Sequence, residues 1–296
     1  MSTKLRGYIE LLRPFTLLAP LIVSTSIMLA SLIYSGRTDI TILSILLTVI
    51  AASVCFALLN GASNALNQAT DFTEDTLSKP YRPIPKGIVS RKEAHKISLL
   101  LYIIAMAISL TINLTFSLLV LCIAFFSITY SLPPRMKKML FINQLWVAIP
   151  RGLLGILASW SVFANPFQNL PLAIGTISVL FLYGGTATKD ILDADADTRA
   201  GTKTLVNVFG VRKASHISFL FMSSAFLLII PLTLLKIVEI YLLPLSFLIM
   251  MSFFIFWHMR NSHKNEKCEN TPAWTLMYAT YFIFALSFAI LTISFS

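Results

Sequence analysis

Two short acidic segments carry the residues best suited to chemistry in this chain. The first reads Asn64-Ala-Leu-Asn67-Gln-Ala-Thr-Asp71-Phe-Thr-Glu74-Asp75, and the second Lys189-Asp190-Ile-Leu-Asp193-Ala-Asp195-Ala-Asp197. On a helix, Asn67, Asp71 and Asp75 recur at every fourth residue and share one face. Asp190, Asp193 and Asp197 also share a face, while Asp195 points elsewhere. Like charges so placed repel by about a few tenths of a kcal/mol per pair in water, and by more beside lipid, so a cation must neutralise them. Mg²⁺ is a hard cation that takes carboxylate oxygens and bridges to phosphates. Two such faces opposed would hold Mg²⁺ around a diphosphate and stabilise it as a leaving group. Asp71, Asp75, Asp190, Asp193 and Asp197 are therefore the expected catalytic carboxylates, and with Asn67 the expected metal ligands.

Basic residues flank both segments. Lys79-Pro-Tyr-Arg82-Pro-Ile-Pro-Lys86-Gly87 follows the first. Its prolines stop the helix and stiffen the loop, and Arg82 between them is placed to give a phosphate paired hydrogen bonds. Lys189 abuts the second segment, and Lys203 follows it. A basic loop residue can serve merely to fix membrane topology; for Lys79, Arg82 and Lys189, adjacency to the acids favours substrate binding.

The surrounding elements are apolar. The chain has 296 residues, of which 56% are hydrophobic and 12% charged, against about 25% charged in an ordinary soluble domain. Its mean hydropathy is +0.79. Nine apolar runs, at 15–34, 42–66, 97–114, 118–132, 141–163, 170–188, 217–235, 240–257 and 273–295, approach the ~20 residues that cross ~30 Å of hydrocarbon. The expected fold is all-α: a polytopic transmembrane bundle of about nine spans, forming a single integral membrane domain over 1–296. The net charge of +10 would suggest nucleic acid in a soluble protein. Here the charge lies in short loops between spans, which excludes that partner. Twenty of the 23 lysines and arginines fall in alternate loops on one side. The positive-inside rule makes that side cytoplasmic. The N-terminus is then inside, the C-terminus outside, and both acidic segments face the cytoplasm. Seven of the 13 acids lie in these two segments, about 120 residues apart, a spacing that suggests two loosely repeated halves.

Other residue types add little. Cys55, Cys122 and Cys268 are isolated, with no disulfide framework, and Cys55 and Cys122 read as buried apolar side chains. His95, His216, His258 and His263 lack metal-ligand spacing. Arg151 stands apart, inside the fifth run between Pro150 and Gly152. An arginine at that depth costs ~2.5–3.5 kcal/mol on insertion scales, so it should face a cavity or a partner. An anion or acceptor contact and a structural pairing are both open.

At these residues the sequence resembles the UbiA superfamily of intramembrane prenyltransferases. The first motif matches Asn67, Asp71 and Asp75, then Lys79, Pro80, Arg82, Pro83, Ile84, Pro85 and Gly87. The second matches Lys189, Asp190, Asp193, Asp197, Gly201, Thr204 and Leu205. Gln68 stands where the family often has Asp, which would weaken an outer metal contact, and Arg199 lies one residue later than the family's arginine. Leu11-Leu-Arg13-Pro14 and the Tyr130-Ser-Leu-Pro133-Pro134 turn with Lys138 also look like the family. The resemblance implies a central cavity, a lipid-open tunnel for the prenyl tail, and Tyr130 and Lys138 near the diphosphate or the emerging cation. It implies Mg²⁺-dependent transfer of a prenyl chain, geranylgeranyl or longer, from its diphosphate to a hydrophobic acceptor in quinone or ether-lipid synthesis, with membrane lipid as the surroundings. The Tyr-Ser-x-Pro-Pro turn occurs among its ether-lipid and chlorophyll-type members. The acceptor, the donor chain length, the source and the oligomeric state have no signature here.

Two other classes use similar residues. A secondary transporter with a carboxylate-lined cytoplasmic site would place its acids near mid-span, whereas these cluster at span exits. The membrane CDP-alcohol phosphotransferases also use clustered aspartates, but their DGxxAR signature is absent. Aromatic faces at Phe125, Phe126, Tyr130, Phe181 and Tyr183 are candidates for stabilising an allylic cation.

Overall fold

The computed structural model describes residues 2–37, 39–262 and 271–295; Cys268, His263, Lys264 and Lys267 lie outside them. Every regular element among the described residues is helical. A short helix α1 (Thr3–Leu12) is capped by Ser2, whose Oγ accepts the Leu5 N–H. It ends at Arg13 in the left-handed region (φ 54°), and Pro14 at the first position of α2 (Pro14–Tyr34) starts a new axis. Helix α3 (Ile42–Thr70) begins at a Thr41 cap and runs past the first acidic segment's asparagines. After a one-residue break, α4 (Phe72–Ser78) carries Asp75. A Ser90–Glu93 capping box opens α5 (Arg91–Leu110), and Asn113 caps α6 (Leu114–Ser131).

The fifth span is interrupted. Helix α7 (Ile142–Ala148) passes through a π-helical turn (Ile149–Leu154) into α8 (Gly155–Trp160). Helix α9 (Asn169–Gly185) leads through a 3₁₀ turn (Thr186–Lys189) to α10 (Asp190–Arg199). A Thr204–Asn207 capping box opens α11 (Leu205–Leu227), followed by α12 (Ile229–Leu234). A 3₁₀ stretch (Ile240–Leu248) precedes α13 (Ile249–Arg260), and α14 (Pro272–Phe295) closes the chain.

Eight of these helical stretches are long and apolar enough to cross a membrane; the broken 142–160 segment accounts for the ninth apolar run. Neighbours in sequence pack side by side, and α14 returns to α2, so the helices form a closed ring. Its outer surface exposes large apolar side chains such as Leu118, Leu121, Phe125, Leu220 and Phe253, as a lipid-facing surface requires. Cys122 is exposed on this surface and only Cys55 is buried, so the reading of both as buried holds for Cys55 alone. Hydropathy places the carboxylate ends of the second and sixth spans too early. Asn67, Gln68, Asp190 and Asp193 face protein or cavity, and their polarity cuts an apolar window short without ending the helix.

Candidate active site

The ring encloses a cavity of about 1030 Å³. Asn67, Lys79, Arg82, Tyr130, Arg151, Lys189 and Asp193 line it. Asp71, Asp75 and Asp190 stand directly behind this lining: Asp71 Oδ2 accepts from Asn67 Nδ2 at 2.8 Å, Asp75 is held by Arg82, and Asp190 adjoins Lys189.

The first segment is not one continuous helix. Asp71 has φ −99° and ψ 22° and separates α3 from α4. The four-residue hydrogen-bond spacing persists across the break, from Asp71 N–H to Asn67 C=O at 2.9 Å and from Asp75 N–H to Asp71 C=O at 2.8 Å. The bend therefore redirects the chain without losing register. The second segment is a regular helix, α10, packed against α4. Lys79 Nζ joins the two segments, lying 2.6 Å from the Asp193 carboxylate.

Arg82 Nη1 donates to both oxygens of Asp75, each at 2.8 Å. The pair is almost fully enclosed, and burial pushes the Asp75 carboxyl up against the opposing pull of Arg82. Asp71 accepts from Arg135 Nη2 at 2.9 Å and from Lys137 Nζ. Burial pushes the Lys137 ammonium down, and Asp71 partly offsets it. Lys189 Nζ donates to Tyr130 Oη at 3.0 Å and lies 5.5 Å from the centre of that ring.

The structure brings Lys137 rather than Lys138 to the carboxylates. Lys138 Nζ donates to the Ala200 carbonyl at 2.9 Å and joins the turn after α10. Arg135, in the left-handed region at φ 55°, and the 3₁₀ turn Met136–Lys138 set which of the adjacent lysines turns inward. Gln68 makes no approach to the site. It is buried, and its Nε2 donates to the Leu11 carbonyl at 2.7 Å. With Asn64, which donates to the Leu12 carbonyl at 2.9 Å, it satisfies backbone acceptors left open where α1 ends. Asp195, Arg199 and Lys203 are exposed.

The rest of the cavity lining is mixed. Trp146, Trp274, Tyr278, Tyr281 and Phe56 present aromatic surface among Thr16, Asn60 and Ser127. Of the five aromatic candidates read from sequence, only Tyr130 lines the cavity. Phe125 is exposed on the outer surface, Phe126 packs on Trp146, Phe181 is buried among Phe226 and Tyr281, and Tyr183 packs on Phe221.

The donor set suits a hard, oxygen-seeking cation. Asp190 is buried, and among the described residues neither Asp190 nor Asp197 forms an ion pair, an arrangement that favours an added positive charge. As arranged here, with Asp71, Asp75 and Asp193 paired to basic side chains, no three acidic groups among the described residues converge as a ready cage.

A family model for UbiA prenyltransferases matches residues 21–283. The digeranylgeranylglyceryl phosphate synthase of Methanosphaera stadtmanae is 27% identical over 70% of this chain and 70% of its own. That of Methanothermobacter thermautotrophicus is 28% identical over 73% and 71%. Among solved structures, a UbiA homolog from Archaeoglobus fulgidus bound to DMAPP and Mg²⁺ superposes with a TM-score of 0.70 at 20% identity, over 98% of this chain and 100% of that one. A digeranylgeranylglyceryl phosphate synthase structure gives 0.69 at 22% identity, over 99% and 100%. With the helical ring, its membrane-length spans and a match that covers most of its length, the chain belongs to the UbiA prenyltransferase family and is an integral membrane prenyltransferase.

Proposed function

We propose that the chain, acting as one domain over 1–296, transfers a prenyl group from its diphosphate to a glycerophosphate lipid, with Mg²⁺ as cofactor. The observation that carries this reading is the meeting of two carboxylate segments across one mouth of a membrane cavity, joined by Lys79 and Asp193 at 2.6 Å. The relatives' name specifies a glyceryl phosphate bearing two geranylgeranyl chains, which favours a lipid acceptor over an aromatic one. Asn67, Asp71, Asp75, Asp190, Asp193 and Asp197 would hold the metal, which when bound neutralises the diphosphate as it departs. A transporter reading has no support in these findings.

The chain's own side chains divide the remaining work. Lys79, Arg82, Arg135, Lys137 and Lys189 supply the positive charge that receives the diphosphate. In the structure the first four already neutralise Asp193, Asp75 and Asp71, so substrate entry exchanges one set of charge partners for another. Among the side chains that line the cavity, Tyr130, Trp146 and Trp274 offer ring faces to a developing allylic cation.

The decisive assay incubates purified protein with labelled geranylgeranyl diphosphate, Mg²⁺ and each of geranylgeranylglyceryl phosphate, 4-hydroxybenzoate and a dihydroxynaphthoate. Product with the first acceptor alone is expected; product only with an aromatic acid would overturn the lipid assignment. Arg82→Lys retains charge but loses the planar fork, and should raise the donor KM about tenfold. Wild-type kinetics in that variant would leave Arg82 with the single task of holding Asp75. We also place the mouth on the cytoplasmic side. A cysteine at Lys92 should therefore resist impermeant maleimide in intact cells while one at Arg37 reacts, and the reverse pattern would invert the topology.

A further inference from the structure

Arg151 lies deep in the cavity, away from the carboxylates. Asn60 and Asn67 are both on α3, seven residues apart, which at the helical rise is about 10 Å. Arg151 meets Asn60, not Asn67. Its Nη1 donates to Tyr278 Oη at 3.2 Å and its Nη2 to Asn60 Oδ1 at 3.4 Å. Both partners are neutral, both contacts are long for charge-assisted hydrogen bonds, and no carboxylate pairs with Arg151 among the described residues. The guanidinium is nevertheless open to the cavity.

The fold holds this group in place. Arg151 sits in the π-helical turn Ile149–Leu154, and Tyr281 Oη donates to its carbonyl at 3.0 Å. A Cβ at Gly152 would meet the Val179 backbone nitrogen at 2.8 Å, so the turn is pressed onto α9 with no room for a side chain there. Trp274 packs on Tyr278 with ring centres 4.2 Å apart, which fixes the phenol. A positioned arginine within a membrane span, partnered only by neutral dipoles, lacks its counter-anion.

We infer that Arg151, with Asn60 and Tyr278, forms a second anion site that takes the anionic headgroup of the acceptor. The inference rests on the prenyl-transfer reading and adds a specificity determinant to it. The donor's diphosphate belongs with the basic residues around the two acidic segments, so an anion at Arg151 comes with the other substrate. The same geometry links the two substrates. A bare guanidinium near the path of a developing allylic cation opposes its formation, and a bound acceptor anion removes that opposition. Donor ionisation is thereby favoured only when the acceptor is seated. Without it, the competing reaction is hydrolysis: the donor C1–O bond breaks, a C1–O bond to water forms, and the water's proton goes to the released diphosphate.

Calorimetric titration of the intact purified protein tests the site without turnover. The probes are a short-chain alkylglycerol phosphate, the same alkylglycerol without phosphate, and geranyl diphosphate with Mg²⁺. Wild type should bind the phosphate probe at least about tenfold more tightly than the alcohol. Arg151→Gln should lose that preference while binding geranyl diphosphate as wild type does, and should hydrolyse the donor faster when acceptor is absent. Asn60→Asp preserves volume and supplies Arg151 with an internal carboxylate, so it should lose the preference too. Equal binding of the two acceptor probes by wild type, or an undiminished preference in both variants, overturns the proposal. Loss of geranyl diphosphate binding in Arg151→Gln instead assigns the arginine to the donor and also overturns it. If wild type shows the phosphate preference but makes no product with any acceptor, the prenyl-transfer reading fails and the anion site stands.

Discussion

Converting both Asp71 and Asp190 to asparagine should lower prenyl transfer by at least about a thousandfold. Removing one well-placed electrostatic group from an active site typically costs 10²–10³ in rate, and these two belong to opposite segments of the mouth. Asparagine is preferred to alanine at position 71 because Asn67, Arg135 and Lys137 converge on that side chain. The amide oxygen can still accept from Arg135 and Lys137, whereas truncation would strand a buried lysine. The thermal midpoint of the double variant should stay close to that of wild type, and chelation of divalent metal should abolish turnover in the wild type. Full activity in the double variant or in excess EDTA would remove the carboxylates from the mechanism.

The second large effect concerns the order of bond changes. No Ser–His or Cys–His pairing is found among the described residues to activate an acceptor, and the mouth concentrates groups that pull on diphosphate. The expected order is departure first and acceptor attack second. Fluorine near the reacting carbon of the allylic donor destabilises a cation with little change of size. Such a donor should react at least about a hundredfold more slowly, equivalent to about 3 kcal/mol of barrier. Single-turnover rates with saturating acceptor measure this without interference from product release. An unchanged or faster rate means direct displacement, and Tyr130 and the cavity tryptophans then serve only to shape the tunnel. The Lys189 ammonium sits at the hydroxyl end of Tyr130, 3.0 Å from its oxygen, and leaves the ring face to the cavity.

The carboxylate segments were legible because charge is scarce in this chain. An aspartate at a span exit has few structural roles, and seven acids in two short stretches stand out. Membrane spans were legible for the complementary reason, since backbone satisfaction in lipid leaves helices as the solution for long apolar runs. What periodicity does not encode is the direction a side chain faces within a ring of helices. Phe181 and Tyr281 stack on each other, yet only Tyr281 reaches the cavity. Asn60, Asn64 and Gln68 are similar polar residues on one helix. Asn60 and Asn64 line the cavity, whereas Gln68 fastens the bend between α1 and α2. The choice of Lys137 over Lys138 depends on a single left-handed residue, Arg135, whose backbone state no composition rule assigns. The break at Asp71 is hidden for a related reason, because hydrogen-bond spacing continues through it.

The π-helical turn at Ile149–Leu154 has a consequence for sequence change in this span. A π-turn accommodates one more residue than the α-helix would over the same rise. Deleting one residue there would let the span relax to regular α geometry. Because the turn itself absorbs the surplus residue, the side chains of α7 and α8 on either side would keep their faces, and the change would fall on Ile149–Leu154. The span would still cross the bilayer, and its hydrophobic length would hardly change. Arg151 and the close seat of Gly152 on α9 could no longer both be kept. Length variation in this segment is thus nearly silent for membrane insertion and severe for the chemistry inside.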